Sequence, residues 1–170
     1  MKTKMMMLSL ALVSCGVFAQ HDHSKMGNDT KMTKDMAKFK DAKLGAAYGH
    51  YIHLKNALVA SQAEEAKKGA DELQKALKNV EGSAAAIDAA SKLAKASDLA
   101  AQRKAFSTLS NEMAALVKGG KLSGGMLYLE YCPMANNNAG AYWLSNEKEI
   151  KNPYFGDKML KCGSVKEMIH

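Results

Sequence analysis

Proline is almost missing from this 170-residue chain: there are two, Pro133 and Pro153, both in the last quarter. Nothing in the middle of the sequence therefore breaks a helix by removing a backbone N–H. Arginine is rarer still, with Arg103 alone, and the lysines lie scattered beside Asp and Glu. A nucleic-acid binder gathers Arg and Lys on one face, so the positive balance reads as solvated helix surface with no nucleic acid as partner. Catalytic signatures are absent too: no Gly-rich phosphate loop, no serine nucleophile elbow and no HExxH motif. The expectation is a protein that is not an enzyme. Strand signals are sparse, and only Met126 to Tyr131 alternates weakly.

What is present begins with an export signal. Lys2 and Lys4 precede an apolar stretch, Met5 to Val13, that is far shorter than the roughly 20 residues a bilayer requires. Val17-Phe18-Ala19 before Gln20 reads as a cleavage site, giving residues 1–19 as a signal peptide and a periplasmic or otherwise exported product. Leu12-Val13-Ser14-Cys15 also fits the pattern before a lipid-modified cysteine, so a membrane-tethered chain anchored at Cys15 stays open. Cleavage after Ala19 removes two lysines and lowers the formal net charge from +7 to +5. Residues 20–40 carry His21, His23, Met26, Met32 and Met36 among polar residues and read as a flexible tail, one able to collect copper or to serve as a plain linker.

Residues 41–170 form the expected single domain. Leu44, Ala47, Tyr48, Tyr51, Leu54 and Leu58 make one helical stripe, and Ala63 to Val80 a second. Gly82 and Ser83 break the pattern, with Ser83 a candidate N-cap for a short Ala84–Lys95 helix. Ser97 or Asp98 caps a fourth, which Gly119-Gly120 ends. These segments predict an all-α fold, an antiparallel four-helix bundle with a loop-rich C-terminal segment and a short terminal helix.

After Lys121 the chemistry changes. Six of the eleven aromatic residues, both prolines and two cysteines fall there. Cys132-Pro133-Met134 and Met159-Leu160-Lys161-Cys162 each pair a thiol with a thioether, a soft donor set suited to copper(I). Two cysteines in an exported domain equally suit a disulfide, worth about 3 to 4 kcal/mol for a loop of this length. His50 and His53, at i,i+3 on the first helix, are a second candidate ligand pair or ordinary surface residues.

The run Cys132-Pro133-Met134-Ala135, Gly140 to Ser145, Asn152 to Gly156, Met159 and Cys162-Gly163, with Tyr51 to Leu58 and Gln102 to Phe106, resembles an exported Bacteroidetes-type domain of unknown function, number 3347, over about Leu44 to Ile169. Members of that family also occur attached to copper/silver efflux membrane-fusion proteins. The resemblance implies a heavy-metal setting, an efflux complex as partner, and Cys132, Met134, Met159 and Cys162 as the metal residues. Two functions follow as expectations: an exported copper(I)- or silver-binding protein that buffers metal or delivers it to efflux, or a disulfide-stapled interaction module without metal.

Overall fold

The computed structural model describes residues 37–170; the signal segment, Cys15, His21, His23, Met26, Met32 and Met36 lie outside them. Among the described residues the first element is a two-residue strand, β1 (Lys38–Phe39), followed by the helices α1 (Ala42–Val59), α2 (Ala63–Leu77), α3 (Ala84–Ala94) and α4 (Leu99–Gly120). Strands β2 (Leu122–Gly124) and β3 (Leu127–Cys132) follow, then a one-turn α5 (Ala135–Asn138), β4 (Ala141–Ser145), a 3-10 turn at Gly156–Lys158, and β5 (Ser164–Ile169).

The four long helices occupy the stretches that their apolar periodicity marks out. Leu44, Ala47, Tyr48, Tyr51, Leu54 and Leu58 are all buried on α1, and Leu73 and Leu77 on α2. Asp98 starts α4 by accepting from the Ala101 N–H at 2.8 Å, satisfying one of the open donors of the first turn. Ser83 stands at the N-cap position of α3, where its carbonyl accepts from the Ile87 N–H at 2.9 Å, but its side chain makes no capping hydrogen bond. Its hydroxyl donates backward to the carbonyls of Leu77 and Val80, closing the end of α2 instead.

The all-α expectation is overturned by the C-terminal third, which makes the molecule mixed α and β. Antiparallel β1 and β2 form a small sheet, and β4-β3-β5 a second antiparallel one, Leu129 lying opposite Leu144 and Glu130 opposite Trp143. The expected terminal helix over Met159 to Cys162 is absent as well. The 3-10 turn lies just before it, and the chain then extends into β5, whose Tyr131↔Ser164 and Leu127↔Ile169 pairings with β3 override the helix-favouring Lys, Glu and Met of that segment.

The larger sheet docks edge-on. On the outer edge of β4 the Leu144 N–H donates to Tyr51 Oη (3.0 Å), and Tyr154 Oη donates to the Tyr142 carbonyl (2.6 Å). Tyr51 in turn shares a hydrogen bond with Ser110 of α4 at 2.8 Å, so an edge that would invite another strand is closed by two phenols, Tyr51 from α1 and Tyr154 from the C-terminal loop. A line of rings, Tyr48, Tyr51, Phe106, Tyr154 and Trp143, runs through the core with centroids 5.4 to 6.0 Å apart. These separations are those of packed aromatic pairs.

Arg103 locks helices and C-terminal loop together. Its Nε donates to the Pro153 carbonyl (2.9 Å), and Nη2 to the Leu58 carbonyl (2.9 Å) and Ser61 Oγ (3.0 Å). Gly156 lies against this clamp with φ +57°, where a Cβ would stand 2.7 Å from Nη2 and 2.8 Å from the Val59 carbonyl.

Candidate metal centre

Strand β3 ends in Cys132, and the segment after the 3-10 turn returns to bring Cys162 beside it. The two unbonded thiols lie Sγ to Sγ at 2.7 Å, Cys132 fully buried and Cys162 half-buried. Their meeting depends on Asn152, itself wholly buried. Its Nδ2 donates to the Cys162 carbonyl (2.7 Å), its N–H to the Leu160 carbonyl (2.8 Å), and its Oδ1 accepts from the N–H groups of Tyr154 (2.8 Å) and Phe155 (3.3 Å). One side chain thus folds the loop back on itself. Gly163 follows at φ +142°, and a Cβ there would meet Trp143 Cη2 at 2.8 Å and the Tyr131 carbonyl at 3.0 Å, so the chain after Cys162 passes directly over the indole.

The thioethers stand differently. Met134 is 47 % exposed and lines a groove of about 950 Å³ with the first turn of α4, Phe155 and Lys158. That groove is bordered by Asn136, Asn137 and Asn138, all at positive φ, a conformation Asn tolerates better than most residues. Met159 is half-buried, and its carbonyl accepts from the Cys162 N–H at 3.0 Å. Among the described residues, the thiol pair is the one sulfur-to-sulfur contact within hydrogen-bonding reach.

His50 and His53 are not gathered to this place. Both sit on the exposed face of α1 toward α2, His50 Nδ1 3.5 Å from Glu72 and His53 Nε2 2.8 Å from Glu65. Among the described residues no three His, Cys, Asp or Glu side chains converge to hold a metal ion.

Buried charge beside the pair escapes sequence reading. Glu130, two residues before Cys132 on β3, is fully buried with both carboxylate oxygens unpartnered, and Trp143 Nε1 opposite it also lacks a well-formed hydrogen bond. Burial pushes the Glu130 carboxyl up to about 8, against the opposing pull of Lys55 and of the imperfect indole contact. Lys55, buried on α1, is lowered by the same desolvation. The Cys162 thiol is raised to about 11, first by the hydrogen bond it shares with Cys132 and then by burial. The Cys162 thiol is therefore protonated at neutral pH until something displaces its proton.

Neither a curated protein nor a solved structure matches the chain. The family model described as "Protein of unknown function (DUF3347)" matches residues 47–125, from early α1 to the residue after β2 and short of Cys132; over that stretch the chain is similar to this family.

Proposed function

We propose that this chain is an exported binding protein for monovalent copper, with Cys132 and Cys162 as its thiolate donors, that buffers the ion or passes it to an efflux complex. The observation that carries the reading is the meeting of two soft donors thirty residues apart, one sealed in the core and one reachable from solvent. Soft thiolate and thioether ligands select copper(I) over harder ions.

The contact also sets a condition on loading. Two sulfurs bound to one metal at about 2.3 Å stand about 3.8 Å apart at a tetrahedral angle, well beyond 2.7 Å. Cys162 must swing outward, which its half-exposed position allows. Met159, three residues before Cys162, and Met134, two after Cys132 and exposed on its groove, are the candidate thioethers.

The same short contact favours a second reading, the disulfide-stapled interaction module, in which the thiols close permanently. Anaerobic titration of the reduced protein with copper(I) against a competing chelator separates the two. Retention of about one copper, lost in Cys162→Ser and weakened in a Met134→Leu/Met159→Leu variant of unchanged fold, is expected because Leu conserves volume without a donor. No copper retained by the reduced protein would leave the staple.

A further inference from the structure

We propose that the reduced Cys132–Cys162 pair is also a two-electron reductant of divalent copper, closing to a disulfide as it generates the monovalent ion. This rests on the copper reading above and adds an activity to the same residues.

The backbone at both sulfurs is already fixed. Cys132 pairs with Ala141 across β3 and β4, and Cys162 is gripped through its carbonyl by Asn152 and through its N–H by Met159. Going from the 2.7 Å contact to a bond of about 2.05 Å takes a small movement of the sulfurs and none of the chain. Holding the second thiol in place replaces a bimolecular encounter with an intramolecular one. The two thiols also differ in access, since a divalent ion arriving from solvent meets Cys162 first while Cys132 waits behind it.

The balance is complete with the ion as oxidant. Both S–H bonds break, their protons leaving to water through the exposed side of Cys162. Of the four electrons left on sulfur, two form the S–S bond and one goes to each of two divalent ions, each becoming monovalent. The product holds no thiolate. Copper(I) is then released or passed to the thioethers, which bind without losing a proton, and Met134 stands 47 % exposed on its groove to receive it.

The test uses the full chain carrying Cys15→Ser, reduced and anaerobic, mixed with copper(II) sulfate. Loss of the divalent signal is followed by electron paramagnetic resonance, copper(I) by a colorimetric chelator, and the thiols by mass spectrometry. Expected are about two copper(I) and one intramolecular disulfide per chain, formed about tenfold or more faster than the oxidation of Cys132→Ser. Cys132→Ala, with its fold checked by circular dichroism, should be slowed to the same degree. Reduction by either single-thiol variant at the wild-type rate, or disulfide-linked dimers as the main wild-type product, would overturn the proposal. A reduced protein that retains supplied copper(I) yet leaves copper(II) unreduced also overturns it while the binding reading stands. Reduction without copper(I) retention does the reverse.

Discussion

At the scale of single residues, the candidate site depends on side chains whose importance is invisible in their neighbours. Asn152 sits in a stretch that reads only as a turn, because the carbonyls of Leu160 and Cys162 that it binds come eight and ten residues later. Asn152→Ala leaves the Cys162 carbonyl and two backbone N–H groups without these partners, at a cost of about 2 kcal/mol or more. Urea unfolding should show that loss, and the Cys162 thiol should alkylate faster in the folded variant. Glu130 is the other such residue. A carboxylate inside an alternating strand reads as solvent-facing, yet Glu130 is buried beside Trp143, Lys55 of α1, and Glu147 and Lys151 of the following loop. With its folded value near 8 above its ordinary 4.5, the native state holds a proton that the unfolded chain gives up between those values. Its contribution to stability is thus fully present below pH 4.5 and lost as pH rises through 8. Glu130→Gln should remove that decline, so denaturant midpoints measured at pH 5 and pH 9 should differ less in the variant than in the wild type.

At the scale of elements, the helices were legible and the larger sheet was not. The stripe on α1 is buried residue for residue, and the Asp98 cap is where the polar-to-apolar transition places it. Helical burial is written in local periodicity. The strands of the larger sheet owe their form to partners far away: β5 is Ser-Val-Lys-Glu-Met-Ile, with four consecutive positions, Lys166 to Ile169, rich in helix formers, and it is extended because β3 offers it a ladder. Weak alternation in β3 is the local trace that its sequence leaves. The docking of sheet on helices then concentrates on Arg103. Arg103→Lys keeps the charge but not the forked geometry that reaches Pro153, Leu58 and Ser61 together, so it should cost about 1 to 3 kcal/mol by thermal unfolding. Gly156→Ala should destabilise by a similar route, since its Cβ meets both the Arg103 Nη2 and the Val59 carbonyl at positive φ.

At the scale of the whole molecule, a helical platform carries a sulfur-bearing cap. The family match covers most of the platform and stops before Cys132, while Cys132, Cys162, Met134 and Met159 all belong to the cap. Soft donors at Cys132 and Cys162 were legible from their residue types, and the structure brings those two into contact; their spacing could not say that Met134 would open onto a separate groove or that His50 and His53 would pair with α2. No described helix is long and apolar enough to cross a membrane. The account stands or falls on whether copper binds at the cap, through Cys132 and Cys162. X-ray absorption at the copper edge, on the anaerobic reduced protein loaded with copper(I), tests this most directly. The account predicts retained copper with sulfur alone in its coordination shell; nitrogen or oxygen neighbours, or copper lost on desalting, would contradict it.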